Sequence, residues 1–210
     1  MPFPHANTPS RLPQLYDAAS TSWQDTIDRL GYPGAYAELA AAAFATDLSS
    51  RPKILDVGTG TGALAAAIIR RSGPPQSLDL LDVSENMLEI AGRALRAHGP
   101  RLIHGAVGAV DLPERAYDVI LCAHTIEHLP DPERAMSWMR RHLKPDGRIV
   151  LSISKPHWCT ALIRWRWGHK AYRKTEVESL LATAGLTHLA TVEFSKGPPR
   201  RTSQGYIATV

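Results

Sequence analysis

The chain is poor in cysteine. Cys122 and Cys159 are its only two in 210 residues, and their spacing fits neither a metal site nor a redox motif. With a start (Met-Pro-Phe-Pro-His) that has nothing of a secretory signal, this scarcity points to a reducing, cytoplasmic setting. Long hydrophobic runs are also missing: none approaches the ~18 residues a membrane span needs. There is no internal repeat and no low-complexity tract. A large charge of one sign is absent as well, since the net charge is only +4, which argues against strong general nucleic-acid binding. What remains is 210 residues at 44% hydrophobic content, long enough for one well-buried domain and short for two.

The most informative stretch runs from Lys53 to Gly62, K-I-L-D-V-G-T-G-T-G. An apolar run (Ile54, Leu55, Val57) leads into Gly58, Gly60 and Gly62, and an alanine-rich helical pattern over 63–71 follows at once. That order predicts a strand, a tight turn and a helix N-terminus. Glycine suits backbone at positive φ and lets a ligand come close, and the free N–H groups of a helix start favour an anionic or strongly polar group. Gly58-x-Gly60-x-x-Ala63 also satisfies the dinucleotide pattern, so a nicotinamide-dependent oxidoreductase is one reading. Asp56 weighs against it, because a carboxylate at the loop repels a pyrophosphate and attracts a cation. S-adenosylmethionine carries an ammonium group, a sulfonium, and a ribose for a following acidic residue to hold.

Along the chain, four prolines within residues 1–13 predict a surface arm. Residues 14–30 have a helical pattern with Trp23, Ile27 and Leu30 on one face, stopped by Gly31-Tyr32-Pro33-Gly34, and a second helix is expected over 35–48. Residues 1–48 thus form an arm and helical cap ahead of a main unit, 49–210. The cap either closes a ligand site or covers one face of the sheet. Further strands are expected over 77–83, 101–106, 117–124 and 148–154, with helices over 84–98 (N-capped by Ser84) and 132–142. A last helix over 175–184 carries a capping box in Thr175 and Glu178. The strands are apolar throughout, which indicates a parallel sheet covered on both faces. Two closing strands, near 187–195 and 205–210, predict a terminal antiparallel hairpin.

Taken together, I-L-D-V-G-T-G-T-G, L-L-D-V-S-E-N-M-L, D-L-P-E-R-A-Y-D-V-I, E-H-L-P-D-P and L-K-P-D-G-R-I-V-L-S resemble the class I S-adenosylmethionine-dependent methyltransferases. The similarity is greatest to the small-molecule branch that includes the quinone-biosynthesis enzymes, and it is collinear over residues 53–185. It implies an α/β, Rossmann-like, mostly parallel seven-stranded sheet with a reversed last strand. It also implies roles by position. Asp56 and the glycine backbone (Gly58, Gly60, Gly62) would hold the methionine end of the cofactor, Asp82 the ribose hydroxyls, and Val83 and Met87 the adenine. One position departs from the family: where an Asp commonly meets the adenine amino group, this chain has Ala106, leaving the backbone of Ala106 and Val107. One charged hydrogen bond fewer weakens affinity by ~1.5–3 kcal/mol, which keeps a non-catalytic, cofactor-binding regulatory protein open as an alternative.

Methyl transfer is an in-line displacement at a sulfonium, so the protein has mainly to position a nucleophile and exclude water. His124, Glu127 and His128 follow the fourth strand, at the edge where such sheets bind substrate, and are the candidate acid–base groups for a hydroxyl acceptor. The acceptor is expected to be a small molecule methylated at oxygen. The same residues with His157 or His169 have the makings of a divalent-metal site; no metal is expected. Finally, residues 155–174 carry Lys155, Arg164, Arg166, Lys170, Arg173 and Lys174 with interleaved Trp158, Trp165 and Trp167 and no acidic residue. Arg164, Trp165 and Arg166 are therefore candidates for binding an anionic or aromatic acceptor. Peripheral membrane contact and a plain solvated basic face are the other readings of that segment.

Overall fold

The computed structural model describes residues 25–45, 51–157 and 170–210. The expected arm (1–13) and most of the first expected helix lie outside them. Seven strands form one sheet: β1 (Lys53–Val57), β2 (Ser77–Asp82), β3 (Arg101–His104), β4 (Tyr117–Ala123), β5 (Leu143–Ser154), β6 (Thr187–Val192) and β7 (Ser203–Thr209). Their order is β3-β2-β1-β4-β5-β7-β6. The first five pair in parallel, and β7 runs antiparallel to both β5 and β6. This is the expected mostly parallel sheet with an antiparallel hairpin at its end. Connections leave the centre in opposite directions from β1 and β4, so a crevice opens at their carboxyl ends, where such sheets bind ligands.

Successive strand residues point to opposite faces, and both faces are buried. Ile54, Leu80, Val119, Leu121, Val150 and Ile207 pack under helices α1 (Tyr32–Ala43), α2 (Ala63–Ser72) and α3 (Glu85–Ala94). Leu55, Val57, Leu81, Ile120, Leu151 and Tyr206 pack under α4 (Pro132–His142) and α5 (Lys174–Thr183). Each fully buried aliphatic side chain contributes about 1.5–3 kcal/mol, which is why the strand sequences lack polar alternation.

The helix expected over 84–98 ends at Ala94, the strands expected over 101–106 and 187–195 end at His104 and Val192, and the last strand starts at Ser203; four further differences have a local reason. Among the described residues the helical region breaks at Leu30 and Gly31: Gly31 is left-handed (φ 83), and Tyr32 and Pro33 already belong to α1. Proline in the first turn lacks an N–H that would be unbonded anyway. At the other end, α1 stops at Ala43 with Phe44 as its C-cap. Strand β5 starts at Leu143 instead of Arg148, with a register shift against β4 that absorbs Lys144-Pro145-Asp146-Gly147. Helix α5 begins at Lys174, and its first turn is capped by the Arg173 N–H donating to Glu176 Oε2 (2.6 Å), so Thr175 and Glu178 are not the box. The Ser84 cap is as expected: its Oγ accepts from the Met87 N–H at 3.2 Å.

Helix α1 is no detached lid. Ala35, Tyr36, Leu39, Ala40 and Ala43 are buried in the sheet's core. Its first residue nevertheless reaches the ligand edge, where the Tyr32 ring stands edge-on to His124 with centroids 5.2 Å apart.

Candidate active site

The three loop glycines answer to three different constraints. A Cβ on Gly58 would lie 2.1 Å from Thr125 Oγ1, and the Gly58 N–H donates to the Leu81 carbonyl at 2.8 Å. Gly58 is thus packed beneath Thr125, whose hydroxyl lies within 3.2–3.4 Å of the Val57, Gly58 and Ala123 carbonyls. Gly62 is left-handed (φ 81), and a Cβ there would meet Leu95 Cδ1 at 2.9 Å; it sets how closely α2 approaches α3. Gly60 is also left-handed (φ 53), but a Cβ would meet nothing within 4 Å. It is the loop residue that faces open space, and its N–H donates to Asp82 Oδ2 at 2.9 Å.

Two carboxylates flank the loop. Asp56 is 1% exposed and accepts from Thr59 Oγ1 at 2.7 Å. Burial pushes its pKa up to about 7; the Thr59 hydrogen bond opposes this and the Asp82 charge adds to it. Burial also raises the Asp82 carboxyl, against the pull of the Ser84 and Gly60 N–H groups; its Oδ1 accepts from the Ser84 N–H at 3.0 Å. Beside it, the Val83 carbonyl is 3.0 Å from His104 Nε2, and Met87 is buried at 1% exposure. Ala106 is exposed and opens a turn, its carbonyl accepting from the Ala109 N–H at 3.0 Å, while Val107 is partly buried against the core. Pairing of Asp82 with His104 in the β2–β3 register brings this turn to the same sheet edge.

At the end of β4, His124 takes a left-handed backbone (φ 52), unusual for a residue with a Cβ, and its N–H donates to the Ser152 carbonyl at 2.8 Å. Its Nδ1 lies 3.2 Å from Glu127 Oε1 and 3.1 Å from Ser154 Oγ, and its Nε2 lies 3.1 Å from Ser152 Oγ. Glu127 is 2% exposed. Burial works to raise its pKa, but the His124 hydrogen bond and charge and the Ser154 N–H (2.6 Å) outweigh it, and the carboxyl is held below its ordinary value. Glu127 Oε2 is buried without a hydrogen-bond partner among the described residues. An ionised Glu127 makes Nδ1 the donor and leaves the lone pair on Nε2, toward Ser152. His128, half-buried in the next turn, donates its N–H to the Thr125 carbonyl at 3.0 Å.

Thr125, Ser152, Ser154 and Tyr32 were not among the candidates from sequence. Their only local signal is adjacency to His124 or position at a strand end, and the contacts that matter are long-range. Arg164, Trp165 and Arg166, the acceptor candidates, lie outside the described residues. Among the described residues, no three His, Cys, Asp or Glu side chains are grouped as metal ligands, and no helix is long and apolar enough to cross a membrane.

The donor set suits one kind of cofactor. A buried carboxylate, Asp56, whose proton affinity the Asp82 charge raises further, and the partly buried Asp82 itself border an open glycine position, which favours a cationic, hydroxyl-bearing ligand over an anionic pyrophosphate. The sheet order and this crevice define a class I S-adenosylmethionine-dependent methyltransferase fold. A family model described as "Methyltransferase domain" matches residues 28–191, and the chain belongs to that family. This decides against the nicotinamide-dependent reading. Among curated relatives, the ubiquinone/menaquinone biosynthesis C-methyltransferase UbiE of Idiomarina loihiensis is 33% identical over 109 residues, 50% of this chain and 43% of that protein. The UbiE of Ralstonia nicotianae is 35% identical over 107 residues, 49% of this chain and 44% of that protein. The chain thus matches less than half the length of these relatives. Among solved structures, an S-adenosylmethionine-dependent methyltransferase from Clostridium acetobutylicum is similar at TM-score 0.72 and 16% identity, covering 90% of this chain and 98% of that one. The [4+2]-cyclase SpnF is similar at TM-score 0.75 and 19% identity, covering 98% and 97%. Likeness at this level shows the fold, and the cyclase shows that the fold alone does not name a reaction.

Proposed function

We propose that this domain methylates a small molecule bearing an ionisable hydroxyl, with His124 as the proton acceptor and Glu127 as the residue that fixes its tautomer. The observation that supports this is the Glu127–His124 pair at the carboxyl edge of β4, with His124 held in a left-handed backbone. Such strain is tolerated where surrounding structure over-determines it, often at working sites. When bound, S-adenosylmethionine supplies a methyl group on a cationic sulfur. Asp56 and the Gly60 loop would hold its methionine end, Asp82 its ribose, and Val83, Met87, Ala106 and Val107 would border its adenine. Gly58 and Gly62 shape the loop from behind.

For His124 to take a proton, the Ser152 hydroxyl must turn its hydrogen away from Nε2, which a hydroxyl rotor can do. Loss of the acceptor's hydroxyl proton makes that oxygen and, in an aromatic ring, the carbon ortho to it nucleophilic; methylation at carbon is completed when that carbon releases its hydrogen as a proton and the ring regains its aromaticity. The matched relatives are named C-methyltransferases, which supports carbon as the receiving atom. Oxygen, the expectation from sequence, is the second reading, supported by the same acid–base pair. Arg164, Trp165 and Arg166 enter this proposal through their sequence as contacts to the acceptor. A thermal-shift titration with S-adenosylhomocysteine and with NAD tests the cofactor side, because a ligand stabilises the state that binds it. Product mass and NMR from a panel of phenols and hydroquinones test the acceptor side. Stabilisation by NAD alone overturns the proposal.

A further inference from the structure

A cavity of about 660 Å³ lies beside the start of β7, walled by Pro198 and Thr202 and bordered by His157, Lys196, Arg200 and Arg201. That volume is in the range of small-ligand pockets, roughly 300–1,000 Å³. Among the described residues, no acidic residue lines it. Glu38 of α1, which contacts the wall at Ser195, accepts from the Ser195 N–H (2.9 Å) and hydroxyl (2.6 Å). Among the described residues, no ion pair engages Lys196, Arg200 or Arg201. Arginines bordering a concave space, with no ion pair among the described residues, are suited to an oxyanion, because the fixed fork of guanidinium donors matches carboxylate and phosphate geometry.

The cavity is linked to the His124 site through the start of β7. The Thr202 carbonyl accepts from the Lys155 N–H at 2.9 Å. The next residue, Ser203, is hydrogen-bonded through its Oγ to the Tyr32 hydroxyl at 3.0 Å, and Tyr32 stands edge-on to His124. We propose that this cavity receives an oxyanionic group, carboxylate or phosphate, of the small molecule methylated beside His124, with Arg200 and Arg201 supplying the charge. The proposal rests on the methyl-transfer reading and adds the class of acceptor to it. A concave pocket one residue from the Tyr32 contact favours a small ligand over a membrane surface or a nucleic acid.

The test uses calorimetry on the full chain with two probes, inorganic pyrophosphate and benzoate, in Arg200→Glu, Arg201→Glu and a distant control, Arg93→Glu on α3. The expected result is binding of at least one probe, weakened about tenfold or more in the first two variants and unchanged in the control, with S-adenosylhomocysteine affinity the same throughout. Which probe binds separates phosphate from carboxylate. Should a charge reversal lower the melting temperature, Arg200→Gln and Arg201→Gln repeat the measurement with the side-chain stem kept. Binding of neither probe, or equal loss in the Arg93 control, overturns the proposal. So does binding confined to phosphatidylglycerol vesicles that pyrophosphate does not compete away. Failure of wild-type protein to bind S-adenosylhomocysteine would instead strike the methyl-transfer reading itself.

Discussion

Thr125 Oγ1 occupies the space a Cβ on Gly58 would need, 2.1 Å from where that atom would be. Gly58 is also left-handed (φ 65), a conformation that adds about 1–2 kcal/mol for any residue with a Cβ. Gly58→Ala should therefore lower stability by more than that backbone term, since Thr125 must also move. Thr125→Ala removes the clashing hydroxyl and methyl. The double variant should recover part of the loss in urea denaturation, a coupling expected only of residues in contact. Simple additivity of the two single variants would show that the loop rearranges instead.

Asp56 makes the ligand-free protein sensitive to pH. Its carboxyl is raised from an ordinary 3.8 to about 7 by burial. The folded state then binds this proton more tightly than the unfolded chain. The contribution is fully present below about pH 4 and is lost as pH rises through about 7. Between these limits the ligand-free melting temperature should carry a downward component that Asp56→Asn removes. A cationic cofactor favours the ionised carboxylate, so S-adenosylmethionine should bind more tightly above pH 7 than below pH 6. Melting curves and titrations across pH 5–9 check both halves; identical pH profiles for wild type and Asp56→Asn would assign the titration elsewhere.

Much of this was legible in the sequence because it is local or periodic. The uniformly apolar strands, the glycine loop after Val57, the Ser84 cap and the closing hairpin each follow from a short window. The capping box of α5 was misplaced because T-E-V-E offers two overlapping frames, and only the one starting at Arg173 is used. Tyr32 was assigned to a stop signal because Gly-Tyr-Pro-Gly contains two residues that end helices, although proline also begins them. Beyond Glu127, the partners of His124 could not be read. Ser152 and Ser154 are about thirty positions away and meet His124 only because β4 and β5 pair in that register.

Asp82 holds the Gly60 and Ser84 N–H groups and is proposed to hold the cofactor ribose. Asp82→Ala should weaken S-adenosylhomocysteine binding about tenfold or more, from loss of charged hydrogen bonds, and should also loosen the loop. Asp82→Asn keeps one carbonyl acceptor and the side-chain shape, so its melting temperature should lie closer to wild type. Calorimetry and melting measured on both variants separate ligand contact from loop support. Unchanged affinity in Asp82→Ala would remove the ribose role.

The sharpest test of the proposed chemistry is the Glu127–His124 pair. His124→Ala should reduce kcat by roughly 10²–10⁴, the usual range for a general base, while leaving S-adenosylhomocysteine affinity unchanged. Glu127→Gln keeps the shape but removes the charge that holds the proton on Nδ1, so it should lower kcat at unchanged S-adenosylhomocysteine affinity. Stability gives an independent readout. The Glu127 carboxyl is held below its ordinary 4.5, so its contribution is present above about pH 4.5 and is lost as pH falls through the lower folded value. Glu127→Gln should flatten that acid limb of the melting curve. A purely structural pair would change melting and leave kcat in place; a lowered kcat in Glu127→Gln at normal cofactor affinity identifies Glu127 as the group that orients His124.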